Sequence, residues 1–123
     1  MPAHRRTALI VEDQPFIGLV ASDILRESGF ETYHAHDAQA AEGLLAEHPE
    51  IDVLVCGAEL PGSVDGLEFA RRVSQQRPDV QLVVTASGRE PSPSELPHGA
   101  RSLRKSFASG DLLDATGSLA VEA

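Results

Sequence analysis

Three short apolar runs constrain this chain most: Ala8-Leu9-Ile10-Val11, Val53-Leu54-Val55-Cys56 and Val80 to Thr85. They are near-continuous rather than alternating, the pattern of strands buried on both faces. Between them lie segments with helical spacing. Gln14-Pro15 opens one that runs through Ser28, with Ile17, Val20, Ala21 and Ile24 inward and Gly29 as its stop. Asp37 is the expected N-cap of a second, whose inner face is Ala38, Ala41, Leu44 and Leu45, with Pro49 just past its end. A third spans about Gly66 to Gln76, with Leu67, Ala70 and Val73 inward.

Two further strands are more polar. Glu31 to Ala35 alternates, and Arg101 to Arg104 has charged ends. Leu60-Pro61-Gly62 is a turn signal. Gly88 to Gly99 carries Pro91, Pro93 and Pro97, which leaves room for little more than one helical turn. Ser109 is the expected cap of a last helix carrying Leu112, Leu113, Thr116 and Leu119, weakened near its end by Gly117. Strand–helix alternation predicts an α/β fold, a five-stranded parallel sheet with helices on both faces. The apolar strands belong in the middle and the polar ones at the edges. Right-handed crossovers then favour the order 2-1-3-4-5, with the fourth helix short or missing. With no repeat or linker, residues 1–123 are expected to form a single domain.

Such sheets bind ligands beyond the strands' carboxyl ends, where the order reverses between the first and third strands. Glu12-Asp13 ends the first apolar run, Gly57 ends the second and Thr85-Ala86 ends the third, while Leu103-Arg104 leads to Lys105. Two acids, a hydroxyl and a lysine suggest a Mg²⁺ and phosphoryl pocket, but the position best placed for a reactive carboxylate holds Gly57. No glycine-rich loop follows the first strand, which argues against a phosphate-cradling FMN binder.

The net charge of −9, from 19 acidic and 10 basic residues, repels phosphate backbones and argues against nucleic-acid binding. Arg71-Arg72 and the Arg101, Arg104, Lys105 group stand amid acids and read as solvated faces. Cys56 is the only cysteine, so no internal disulfide forms, a reducing cytoplasm fits, and an inert core thiol is expected. No apolar stretch is long enough to span a bilayer, and the basic start does not lead into a signal sequence. His34 and His36 share one side of the second strand, but with no third ligand in view they read as edge-strand polar residues.

The chain resembles the receiver domain of two-component response regulators over nearly its whole length. The likeness rests on Leu9-Ile10-Val11-Glu12-Asp13, Asp52-Val53-Leu54-Val55, Leu60-Pro61-Gly62 with Asp65-Gly66-Leu67, Val84-Thr85-Ala86, and Leu103-Arg104-Lys105-Ser106-Phe107. Each is weak singly; the order and spacing are specific. The resemblance implies a flavodoxin-like receiver fold, a cytoplasmic place in a phosphorelay, and a histidine kinase or other regulatory protein as partner. By position, Glu12 and Asp13 correspond to the Mg²⁺ acids, Thr85 to the hydroxyl that contacts the phosphoryl oxygen, and Lys105 to the lysine that pairs with the acid.

Four departures accompany it. Gly57 stands at the phosphoacceptor aspartate. Ser106 follows the lysine where proline is usual. Ser102 stands three before the lysine where a switching aromatic is usual. The Pro-rich segment replaces the fourth helix, part of the usual output face. The sequence therefore predicts an atypical receiver, not an enzyme, that interacts with proteins without being phosphorylated; a homodimer is compatible with it. No cofactor is expected to be required, and Mg²⁺ is expected to bind weakly, because six hard oxygens are needed and one carboxylate is gone. Lys105 is expected to pair with Asp13 or Glu12, relieving their like charges. Glu59, two residues after Gly57, is a candidate acid mimic, although an exposed loop glutamate is the plainer reading. The alternatives are a working phosphorelay receiver whose acceptor is Glu12, Asp13 or Glu59, and a small-ligand or metal-binding module on the same fold.

Overall fold

Alternate residues of the central strands pack on opposite faces of the sheet. The computed structural model describes residues 6–62, 64–97, 99–105 and 107–116. Strands β1 (Thr7–Val11), β2 (Glu31–Ala35), β3 (Val53–Gly57), β4 (Gln81–Ala86) and β5 (Arg101–Arg104) alternate with helices α1 (Pro15–Glu27), α2 (Ala38–Glu47), α3 (Gly66–Gln76) and α4 (Ser109–Ala115). All strand pairs are parallel, in the order β2-β1-β3-β4-β5. Leu9, Val11, Leu54 and Cys56 face α2 and α3 and pack with Ala41, Phe69 and Val73. Ala8, Ile10, Val53 and Val55 face the other way and pack with Ala21, Leu25, Leu112 and Ala115 of α1 and α4. Both faces of β1 and β3 are therefore removed from water, as their unbroken apolar runs require.

Helix starts follow their capping chemistry. Asp37 accepts from the Ala40 amide at 2.8 Å, and Asp65 accepts from the Glu68 amide at 2.9 Å. Ser109 does not cap α4. It is the first helical residue, and the Ala108 amide before it donates to Asp111 Oδ2 at 3.1 Å. The expected positions Gly117 and Leu119 lie outside the described residues. The inner stripe of α1 also differs from the expected Ile17, Val20, Ala21 and Ile24. Gly18, Ala21, Ser22 and Leu25 are its buried residues, a stripe of mostly small side chains that lets the helix settle close to the sheet. In α3 the buried Phe69 supplies bulk that Leu67, only half-buried, does not.

Where a fourth helix would follow β4, the prolines leave a single 3₁₀ turn at Pro93–Glu95. Polar ties hold this segment in place. Glu90 accepts from Ser102 Oγ at 2.9 Å and lies 3.5 Å from Arg104 Nε. Glu95 pairs with Arg89 at 3.2 Å and accepts from the Ser92 amide at 2.8 Å. Among the described residues, no helix is long and apolar enough to cross a membrane.

Candidate functional site

The loops at the carboxyl ends of β1, β3, β4 and β5 bring Glu12, Gly57, Thr85 and Lys105 together. The register fixes this. Val11 pairs with Cys56, Gly57 pairs with Thr85, and Ala86 pairs with Arg104, so the residues that follow or end these strands converge on one edge of the sheet. The main chain holds the corners. The Glu12 amide donates to Ala35 O at 2.9 Å, the Ala58 amide to Thr85 O at 2.7 Å, and the Lys105 amide to Ala86 O at 3.0 Å.

Glu12 is the carboxylate of the site. It is 2% exposed, and its Oε2 accepts from Lys105 Nζ at 2.9 Å and from the Gln14 amide at 3.1 Å. Its Oε1 faces Gly57 so closely that a Cβ there would lie 2.9 Å from it, and 3.5 Å from Lys105 Nζ. The Glu12 side chain thus reaches into the space that any side chain at position 57 would enter. Thr85 lines the same edge and is buried. Asp13 is exposed, and among the described residues its side chain makes no ion pair or hydrogen bond. Of the two acids able to meet Lys105, it is Glu12 that does. Glu59 is also exposed. Strand β3 ends at Gly57, so alternation no longer aims Glu59 at the pocket, and the carboxylate beside Lys105 comes from Glu12 instead.

Two flanking features were not legible in the sequence. Gly66 packs its backbone against the end of β3: a Cβ on it would overlap the carbonyl oxygen of Gly57, and its amide donates to Ala58 O at 3.0 Å. The Asp65-Gly66 step is therefore a cap followed by a close approach that only glycine permits. Ser102 is hydrogen-bonded to Glu90 and so tied to the Pro-rich segment. Ser106 lies outside the described residues. Beneath the pocket, burial first, then the Glu12 and Asp65 charges, push the Cys56 thiol far above its ordinary range, so it stays protonated and unreactive.

The sequence pattern of the response regulator receiver domain matches residues 8–116. The chain belongs to this family. It is thus a receiver domain of two-component response regulators, with the flavodoxin-like receiver fold. Solved structures agree. The signal receiver domain of an HD domain-containing protein from Pseudomonas fluorescens Pf-5 is 27% identical, with a TM-score of 0.79 over 91% of each chain. The receiver domain of NtrX from Brucella abortus is 25% identical, with a TM-score of 0.78 over 92% of this chain and 98% of that one. A response regulator receiver domain protein from Clostridium thermocellum, 18% identical with a TM-score of 0.79 over 95% of this chain and 96% of that one, shares the fold. No curated protein matches the chain in sequence.

The family implies a Mg²⁺ ion held by the acids after β1. The donor set here fits it poorly. Glu12 is already engaged by an ammonium and an amide, Gly57 offers no oxygen from a side chain, and Asp13 alone remains. Among the described residues, no group of three or more His, Cys, Asp or Glu is placed to hold a metal ion.

Proposed function

We propose that this receiver domain works as a phosphorylation-independent protein-interaction module in two-component signalling. The observation that carries this reading is the buried Glu12–Lys105 pair standing over Gly57. A phosphoryl acceptor must present a free carboxylate to the phosphodonor beside a divalent cation. Position 57 has no carboxylate, and the carboxylate nearest to it is bound in an internal ion pair. The lysine ammonium supplies the positive charge that Glu12 needs for burial, so neither Mg²⁺ nor another cofactor is required, and no enzymatic turnover is expected.

The surface that supports an interaction role is α1. Phe16 and Leu19 on this helix are 74% and 54% exposed, large apolar side chains three residues apart on one face. This face suits the apolar surface of a cytoplasmic signalling protein, a histidine kinase or another regulator.

Incubation with acetyl phosphate and MgCl₂, followed by intact-mass measurement, tests the reading. The expected result is an unchanged mass. A stable phosphoryl adduct on Asp13, Glu12 or Glu59 would overturn it in favour of a phosphorelay receiver with a displaced acceptor. Capture of a histidine kinase or another signalling protein by the wild type, but not by Phe16→Ala/Leu19→Ala, would identify the docking face.

A further inference from the structure

His34 is held in the way that metal-binding histidines are held. Its Nε2 lies 3.1 Å from the Glu12 carbonyl oxygen. A carbonyl only accepts, so Nε2 carries the proton, and in the neutral ring Nδ1 keeps its lone pair. A histidine that donates one ring N–H to a backbone carbonyl and presents the other nitrogen is the usual arrangement behind a metal ligand. The ring is also fixed in position. It lies over Gly18 of α1, where a Cβ would come within 2.7 Å of both Cε1 and Nε2. Glycine inside a helix is unfavourable relative to alanine, and here the contact with His34 explains it.

The second ring is close by, at a centroid separation that two ligands of one ion could have. The centroids of His34 and His36 are 4.9 Å apart, with the planes inclined at 56°. That angle is far from parallel stacking. A zinc–nitrogen bond of about 2.0–2.1 Å plus a ring radius of about 1.1 Å puts an ion ~3.2 Å from each centroid, and a tetrahedral angle then separates the centroids by roughly 5 Å. Both histidines are exposed, and among the described residues neither Nδ1 of His34 nor either ring nitrogen of His36 has a hydrogen-bond partner.

We propose that His34 and His36 form a two-histidine site for a late first-row divalent cation such as Zn²⁺ or Cu²⁺, with water completing the coordination. Imidazole nitrogens select these ions over Mg²⁺, which prefers oxygen. The chain's net charge of −9 raises the local cation concentration. The site is separate from the pocket acids but mechanically joined to them, because His34 bonds to the main chain of Glu12, whose side chain holds Lys105. It also borders α1 through Gly18, on the buried side of the helix rather than the exposed side that carries Phe16 and Leu19. A bound ion would thus stiffen the junction between the pocket and α1.

The test is a calorimetric titration of the full chain with ZnCl₂ in excess MgCl₂, paired with the ring-nitrogen NMR shifts of the histidines. The expected result is one Zn²⁺ per chain, with the His34 Nδ1 resonance shifted and Nε2 still protonated. His36→Gln, which leaves the Glu12 contact intact, should weaken Zn²⁺ binding by at least about tenfold while leaving the melting temperature without Zn²⁺ unchanged. His34→Gln should weaken it equally, and His48→Gln should not. Zn²⁺ affinity equal in wild type and His36→Gln, or no Zn²⁺ binding by the wild type, would overturn the proposal and leave His34 as a purely structural tie. Neither result bears on whether the pocket accepts phosphate.

Discussion

Lys105 reaches Glu12 across 2.9 Å with both side chains almost out of water, 6% and 3% exposed. This is the one ion pair of the described residues in which neither partner is appreciably solvated. Burying two charges is expensive, and the pair is stable only as a pair. Lys105→Met leaves the Glu12 carboxylate buried and uncompensated, so the loss should be about 3–5 kcal/mol. Glu12→Gln/Lys105→Met removes both charges and should recover much of that loss. Urea denaturation of both variants and of Glu12→Gln closes the cycle. A double variant as unstable as Lys105→Met alone would show that the charges are not coupled.

Gly57 is linked to the same pair by space. A methyl group there would sit 2.9 Å from Glu12 Oε1, an atom held in place by the bonds that its partner Oε2 makes to Lys105 and the Gln14 amide. Gly57→Ala should therefore destabilise by about 1–3 kcal/mol through overpacking. Removing the lysine tie lets the clash relax, so in the Glu12→Gln/Lys105→Met background, where the side chain is free to turn away, the same substitution should be closer to neutral. Equal losses in both backgrounds, read from denaturation midpoints, would place the strain elsewhere.

Two glycines give opposite expectations. A Cβ on Gly66 would overlap backbone at the end of β3, whereas one on Gly43, exposed within α2, meets nothing within 4 Å. Gly43→Ala should stabilise by about 0.4–1 kcal/mol through the unfolded chain. Gly66→Ala should destabilise strongly, because carbonyl and strand must both move. Thermal melting of the two variants separates the cases, and a tolerated Gly66→Ala would mean that the β3–α3 junction is looser than its packing implies.

The strand order was legible because near-continuous apolar runs in β1, β3 and β4 favour interior positions, and the polar flanks of β2 and β5 favour edges. The convergence of Glu12, Gly57, Thr85 and Lys105 follows from that order alone. The finer choices were not legible. Glu12 and Asp13 are adjacent and both acidic, and only burial distinguishes the one that turns inward from the one that stays in water. The α1 stripe was read only in part: Ala21 is buried and Ile24 packs against the core, but the helix also buries Gly18, Ser22 and Leu25, and the small residues among these are hidden from a periodicity reading that large apolar residues dominate. Ser109 looked like a cap because serine is a good one, yet the place fell to Ala108, with Asp111 satisfying its amide. The Glu90 tie to Ser102 joins residues with no shared local pattern, so nothing in spacing could announce it.

The Pro-rich segment carries a pH signature. Arg89, paired with Glu95, and the Ser92 amide lower the Glu95 carboxyl to about 2. A group depressed in the folded state contributes stability that is fully present above its unfolded value, about 4.3 for glutamate, and that is lost as pH falls through the folded value. The ordering of residues 89–95 should therefore be complete at neutral pH, and should weaken only as the solution is taken from about pH 4 towards pH 2. The tie is solvent-facing, so the effect is local and screened by salt. NMR titration of the Glu95 side-chain carboxyl carbon should give a midpoint well below the ordinary glutamate value, and protection of the Ser92 amide should fall along the same curve. Arg89→Ala removes the largest cause and should move both midpoints upward together. An unshifted Glu95 titration in the wild type would mean that this carboxylate does not hold the segment that stands in for the fourth helix.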